Sequence, residues 1–246
     1  MRHCHGLAEF GACFEIQRAV WGSADADLTP LPIFVVAAET GGQALGAFAE
    51  DRMVGFTLAL AGMRGRAPFL HSHMTVVLGA WRNRGIGRSL KWLQREDALS
   101  RGVELVEWTF DPLQVKNAYF NLVKLGAIAR RYLPNQYGFI SSPLQAGLPT
   151  DRLVAEWQLR STRVKRALAG RSERKRASSR GKIKGVRIRV PAELASLRQT
   201  RPEEAVRLQA EIRQEFEHWL NQGYAATSVK VAGQGGEYLL RPWPKD

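Results

Sequence analysis

The amino-acid sequence predicts an α/β (α+β) protein in which helices flank strands along most of the chain. Two observations carry this prediction. Apolar residues recur at helical spacing near the start, and shorter apolar runs bounded by turn residues, which are typical of strands, follow them. Farther along, strand-like and helix-like segments alternate. The 246 residues suffice for one large domain or for a domain with an appendage.

Two helices are predicted first. Apolar side chains between Phe10 and Trp21 recur at near-helical spacing, and a second short apolar run extends from Pro30 to Gly41. A hairpin follows, because Ala44 to Ala49 and Met53 to Ala61 flank a polar turn. Phe69 to Leu78 is then predicted to be a further strand.

The segment from Gly85 to Arg101 is predicted to be an amphipathic helix that ends at Gly102. Its apolar side chains oppose basic ones, with Ile86, Leu90 and Leu93 against Arg88, Lys91 and Arg95. We therefore expect the basic side chains on the face away from the core.

Four further elements complete the predicted first domain, which spans residues 1–160. Val103 to Phe110 has the pattern of a strand, and apolar residues from Val115 to Leu125 stripe a helix that Gly126 stops. Ile128 to Leu133 and Arg152 to Leu159 are predicted to be strands.

The net charge of +13 is concentrated in one segment. From Arg160 to Arg189 the chain has thirteen Lys and Arg against one acid, Glu173. We interpret residues 161–185 as a solvated basic connector. No aromatic residue interleaves the charges to stack on bases, so we do not expect a nucleic-acid partner.

The last segment, residues 186–246, is predicted to be a small appendage of the type β-α-β-β that packs on the first domain. Val186 to Val190 has the pattern of a strand, and an apolar stripe from Ala205 to Trp219 predicts a helix. Two strands around Gly233 then form a hairpin.

Composition indicates a cytoplasmic protein without a membrane partner. The longest nearly apolar stretch, Met53 to Met63, is too short to span a bilayer. Cys4 and Cys13 provide no disulfide framework, which suits a reducing compartment. They lie close to His3 and His5, but the cluster lacks a spaced second pair of ligands, so no metal site is expected.

One segment, from Val76 to Leu90, indicates a binding chemistry. It consists of an apolar strand, a glycine-bearing turn and the start of a helix. Glycines allow the backbone to approach a ligand closely, and the first amides of a helix have no intrahelical partners. Arg82, Arg84 and Arg88 add positive charge. The segment therefore predicts a site for a pyrophosphate. A dinucleotide-binding motif is excluded, because Leu90 occupies the position of its third glycine.

The run Arg82-Asn83-Arg84-Gly85-Ile86-Gly87 resembles the coenzyme A signature of the GNAT superfamily of acyltransferases, Arg/Gln-x-x-Gly-x-Gly/Ala. The resemblance covers about Phe10 to Leu159. It implies a mixed, mostly antiparallel central sheet that splays at the cofactor strand, with the pantetheine arm of acetyl-coenzyme A or another acyl-coenzyme A in the opening. The expected cofactor-binding residues are Val77, Arg82, Asn83, Arg84, Gly85, Ile86, Gly87, Arg88, Asn117 and Asn121.

The resemblance also suggests catalytic residues. Several superfamily members have a glutamate eleven residues before the first arginine of the loop, where this chain has His71. His73 follows on the same strand face, so either histidine is a candidate base. The superfamily's usual tyrosine acid is replaced by Leu122, and Tyr119, one turn earlier, is the candidate substitute. The segment Leu70 to Met74 is also similar to a narrower bacterial group of predicted GNAT enzymes.

These features predict direct transfer of an acyl group from coenzyme A to a primary amine, with a small molecule such as an amino acid as acceptor. Two alternatives stay open. The acceptor could be a protein lysine or N-terminus, or the chain could be a non-catalytic acyl-coenzyme A sensor tethered to nucleic acid by the basic connector. The sequence leaves a homodimer open as well.

Overall fold

The computed structural model describes residues 1–22, 27–138, 147–170 and 185–244. Two compact units divide the chain, and the division falls between Trp108 and Thr109, inside the range predicted as one domain. The first unit comprises Met1–Trp108, and the second contains the described residues from Thr109 onward.

The first unit contains a sheet with the strand order β1-β2-β3-β4-β5 and three helices among its described residues. Its neighbouring strands run antiparallel except for β4 and β5, which are parallel. In chain order the elements are β1 (Arg2–His3), α1 (Gly6–Trp21), α2 (Leu31–Glu39), β2 (Gln43–Ala49), β3 (Arg52–Arg64), β4 (Ala67–Val77), a 3-10 turn (Gly79–Trp81), α3 (Ile86–Ser100) and β5 (Leu105–Phe110).

Two apolar clusters hold this unit together. One contains Phe10 of α1, Phe34 of α2 and Phe56 of β3, whose rings contact one another at centroid distances of 6.5 and 5.6 Å. The other packs Leu90 of α3 against Leu45 of β2 and residues around it. The predicted helix pair, hairpin and cofactor strand are all present, because each is specified by apolar periodicity within a short segment.

Helix α3 differs from the sequence prediction in one respect. Lys91 and Arg95, expected on the outer face, are buried beside Leu90, Gln94 and Ala98. The helix presents this wider stripe to β2, β3 and β4 because the long basic side chains find polar or aromatic partners there.

The second unit has a sheet with the strand order β7-β6-β9-β10-β8, and the pairs β7–β6, β6–β9, β9–β10 and β10–β8 are antiparallel. In chain order its elements are α4 (Val115–Tyr119) with a π-helical turn (Phe120–Lys124), β6 (Ile128–Leu133), β7 (Arg152–Gln158), α5 (Thr162–Leu168), β8 (Val186–Val190), α6 (Leu194–Thr200), α7 (Pro202–Asn221), β9 (Tyr224–Ala232) and β10 (Gly235–Pro242).

The C-terminal segment is part of this sheet. The sequence predicts β-α-β-β for residues 186–246, and the structure has β8, two helices, β9 and β10. Strand β9 pairs with β6, with Ala129 opposite Ala226. The segment therefore joins the strands that precede the basic connector by backbone pairing, as well as by the packing of α7 on β6.

The beginning of the predicted connector is helical rather than solvated coil. In α5 the Ser161 hydroxyl caps the helix by accepting from the Val164 amide, and Val164 is fully buried. Arg163 donates to the carbonyls of Gly126 and Leu122 at 3.0 and 2.8 Å, which offsets the cost of its burial. Residues 171–184 of the connector lie outside the described part of the chain.

Asp151 is the centre of a buried polar network in the second unit. Its fully buried carboxylate accepts bonds from the Tyr132 hydroxyl at 2.8 Å, from the Asn135 amide at 2.9 Å and from Arg213 through two bonds of 2.9 Å. The Tyr132 ring also contacts Phe216 of α7. This network connects β6 and its following turn to α7.

No helix among the described residues is both long and apolar enough to cross a membrane.

We expect Asp151→Ala to destabilise the second unit by about 3 kcal/mol, because it leaves the buried hydroxyl of Tyr132 and the guanidinium of Arg213 without their acceptor. Urea unfolding measures the change. The matched control is Glu204→Ala, which breaks an exposed i,i+3 pair with Arg201 and should cost at most about 0.5 kcal/mol. Equal losses in the two variants would contradict the role assigned to Asp151.

Candidate active site

The glycine-bearing segment forms a turn that folds back onto the end of β4. After Val77 the chain makes the 3-10 turn and reaches Arg82, whose Nε donates to the Val77 carbonyl at 3.1 Å. Asn83 and Gly85 then adopt left-handed conformations, with φ of 62° and 82°. These two positions reverse the chain direction so that α3 begins beside the strand end.

The N-terminus of α3 has the features of an anion site. Gly85 is the N-cap residue and provides no side-chain cap, and the first turn contains no acidic residue. The first amides of the helix, from Ile86 onward, therefore keep their positive potential. Arg84 and Arg88 add charge and lie over the rings of Trp81 and Trp92, at 4.9 and 5.7 Å from the centroids.

The two glycines of the motif have different roles. Gly85 needs its left-handed φ, which a side chain rarely adopts. Gly87 has an ordinary helical position, and a Cβ there would meet only Val77 Cγ2, at 3.9 Å, which is normal contact. Nothing in the described part of the protein requires a glycine at position 87, so the small residue keeps open a space outside the backbone.

The parallel strands β4 and β5 separate along their length. Among the described residues they pair at only two positions, Leu70 opposite Val106 and His71 opposite Glu107, although β4 continues to Val77. The edge of β4 beyond His71 is thus left without β5 as its neighbour. We call this separation the β4–β5 fork. It has His71 at its base and the turn at its far end.

His71 and His73 lie near each other on β4, with ring centroids 6.3 Å apart. A register shift of β4 against β3 leaves His73 without a partner between the pairs of Met74 and Ser72. Its Nε2 is 3.0 Å from the Thr29 hydroxyl. His71 is half-buried, whereas His73 is exposed.

Desolvation lowers the pKa of both histidines below the usual value, and Glu107 partly opposes this for His71. The Glu107 carboxylate is itself held by Arg64 through two bonds of 2.6 Å. Lys91 adds to the lowering of the His71 pKa. Both imidazoles are therefore neutral at neutral pH, which is the state that accepts a proton.

Sequence patterns did not identify Lys91, Glu107, Arg64 or Trp108 as neighbours of this region. They lie on three elements, α3, β3 and β5, and their proximity depends on how these elements pack against β4. The sequence alone assigns Lys91 to the outer face of α3, so its burial beside this region could not be predicted from the helical pattern.

Asn117, Tyr119 and Asn121 belong to the second unit. Asn117 is exposed and Tyr119 is half-buried, with Lys124 Nζ 5.6 Å from its ring centroid. Asn121 is buried within the π-helical turn, and its amide nitrogen has no hydrogen-bond partner among the described residues. Leu122, at the position of the superfamily's usual acid, is fully buried.

No protein-family model matches this sequence, and no curated protein matches it. Solved structures do match, and three of them have a TM-score of 0.51. An acetyltransferase assigned to the GNAT family from Desulfovibrio desulfuricans shares 12% identity over 64% of this chain and 97% of its own. The ribosomal-protein-S18-alanine N-acetyltransferase of Escherichia coli shares 12% identity over 65% of this chain and 93% of its own. A protein of Streptococcus mutans shares 17% identity over 65% of this chain and 99% of its own.

These neighbours are matched over nearly their full length at low identity, so the likeness concerns the fold. The chain has the fold of the GNAT acyltransferases, as its loop and element order predict. In this protein the sheet is mixed and mostly antiparallel, and strands β4 and β5 separate after two pairs.

We expect Glu107→Gln to lower the pKa of His71 further, because the carboxylate favours the charged imidazolium and an amide does not. An NMR titration of the imidazole protons measures this shift. His73 is the internal control, since its pKa depends on desolvation and on His71. A His71 pKa that rises or stays constant in the variant would show that Glu107 does not act on it.

Proposed function

We propose that this chain is an N-acyltransferase that moves an acetyl or other acyl group from coenzyme A to a primary amine. One observation carries the proposal. A turn with three arginines follows the end of β4, a pair of neutral histidines lies midway along the same strand, and the strand's edge toward β5 is open between them.

This arrangement fits a long ligand with a phosphate group at one end and a reactive group at the other. Arg82, Arg84 and Arg88 and the first amides of α3 would hold the pyrophosphate. From Val77 to His71 the extended strand covers about 20 Å at roughly 3.3 Å per residue. The amide-bearing pantetheine arm can pair with such an open edge, which brings the thioester toward His71.

The chemistry needs a base. An alkylammonium with a pKa of about 10.4 is almost fully protonated at neutral pH, and only the free amine has a lone pair for attack. We assign His71 as the group that accepts this proton, directly or through a water, with His73 as the alternative. The amine nitrogen forms a bond to the acyl carbon and loses a further proton, the carbon–sulfur bond breaks, and the leaving thiolate takes up one proton, so that the step is balanced. Tyr119 is our candidate donor of that proton.

The acceptor we favour is the amine of a small molecule such as an amino acid. The half-buried position of His71 and the contact of His73 with Thr29 support an acceptor group small enough to reach the sheet. A panel of amino acids, polyamines and peptides, assayed by free-thiol release from several acyl-coenzyme A donors, separates this from acylation of protein amines. Binding of acyl-coenzyme A without any transfer would favour the sensor alternative instead.

Gly87→Ala tests the turn. Alanine favours a helix over glycine by about 1 kcal/mol, and its Cβ makes only ordinary contact, so the thermal midpoint should hold or rise. Coenzyme A affinity measured by calorimetry should nevertheless fall about tenfold, equivalent to about 1.4 kcal/mol, because the methyl group occupies space beside the helix amides.

Gly79→Ala is the matched control, because a Cβ there meets no atom within 4 Å and the residue precedes the turn. Its coenzyme A affinity should equal that of the wild-type protein. Unchanged affinity in Gly87→Ala would overturn the assignment of the turn.

His71→Ala should lower kcat about a hundredfold with little change in coenzyme A affinity, since a general base typically contributes at least that factor. The wild-type rate should rise with pH through the lowered pKa of His71 and reach its plateau by neutrality, and the variant should lose this limb. His5→Ala, which changes an exposed histidine on the same unit, is the control. Wild-type kcat and pH profile in both His71→Ala and His73→Ala would refute a histidine base.

A further inference from the structure

Lys91 is a buried amine whose polar contacts lie at the base of the β4–β5 fork, and desolvation lowers its pKa well below the usual value. Its side chain extends from α3 into the sheet, and only 3% of the residue is exposed. Its Nζ donates to the Ser72 hydroxyl at 3.0 Å and to Gln94 Oε1 at 2.5 Å. It also lies 3.9 Å from the centroid of the Trp108 ring, a distance at which the face of an indole attracts an ammonium.

The position of these partners along the strands is specific. Ser72 and Trp108 are the residues that directly follow the last β4–β5 pair, His71 and Glu107. One contacts Nζ from β4 and the other from β5. Lys91 therefore joins the two strands from one side at the level where their pairing ends.

Holding a lysine here is costly. Burial disfavours the charged form of an amine by several kcal/mol, and apolar residues of similar volume commonly replace buried charges without loss of stability. A methionine would fill the same space and still contact the Trp108 ring. The contacts of Nζ with both strands thus point to a requirement other than stability.

We propose that Lys91 is a positioning residue for the acyl-coenzyme A arm: it holds Ser72 and Trp108 on either side of the fork so that the arm's thioester end reaches His71. This inference rests on the proposed acyltransfer. It concerns the arm and the reacting group, whereas the turn at the other end of β4 concerns the phosphates.

The protonated form of Lys91 also acts on His71 through space. The charged and titratable groups that face His71 are Glu107 from β5, Lys91 from α3 and His73 from its own strand, with Arg64 of β3 paired to Glu107. The buried side chains of α1 are all neutral, including the Cys13 thiol, because its pKa is raised. Loss of the Lys91 charge should therefore raise the pKa of His71.

Lys91→Met is the test, with two ligands compared by calorimetry. Coenzyme A carries the arm, and 3′-phospho-ADP is the same molecule without it. We expect the dissociation constant of coenzyme A to rise about tenfold, equivalent to about 1.4 kcal/mol, and that of 3′-phospho-ADP to stay within about twofold. In the rate profile, the limb due to His71 should move to higher pH. Lys230→Met, at an exposed lysine of β9, is the control.

The outcomes separate this inference from the proposed function. If the wild-type protein does not bind coenzyme A, the proposed function fails. If the wild-type protein binds coenzyme A but Lys91→Met binds both ligands equally well and has the same pH profile, only the role of Lys91 is overturned. Equal weakening of both ligands in Lys91→Met also overturns that role. Should Lys91→Met not fold, Ser72→Ala removes one partner with little change in volume and should weaken coenzyme A alone, by about threefold.

Discussion

The early end of the pairing between β4 and β5 is the constraint on which the rest of the first unit depends. Parallel neighbours need a crossover connection, and here the crossover is α3. Its N-terminus must then lie where β4 ends, which places the arginine-rich turn at the C-terminal end of the strand and His71 at the last pair with β5. A strand paired along its whole length would leave no open edge between these two groups.

Charged groups around the fork act in opposite directions on the pKa of His71. Glu107 favours the imidazolium form of His71, whereas Lys91 and desolvation oppose it, and Arg64 holds the carboxylate in place. The net result is an imidazole whose pKa stays below its usual value. Such opposing influences on one titratable group are common where a protein uses that group as a base.

The second unit shows how a segment predicted as an appendage becomes part of a sheet. Strand β9 lies beside β6, and the buried carboxylate of Asp151 connects α7 to the turn after β6. The helix before β6 widens into a π-helical turn that buries Asn121.

The sequence by itself determined the order of the elements, apart from β1 and the helices α5 and α6, because apolar periodicity is a property of short segments. It also located the glycine- and arginine-bearing turn Arg82–Gly87 between a strand and a helix. It also placed His71 and His73 on one strand. Only the tertiary structure decided that Lys91 is buried, that His73 lies at a register shift and that β9 pairs with β6. Each of these depends on contacts between residues far apart in the chain, and such contacts leave no periodic trace in any one segment.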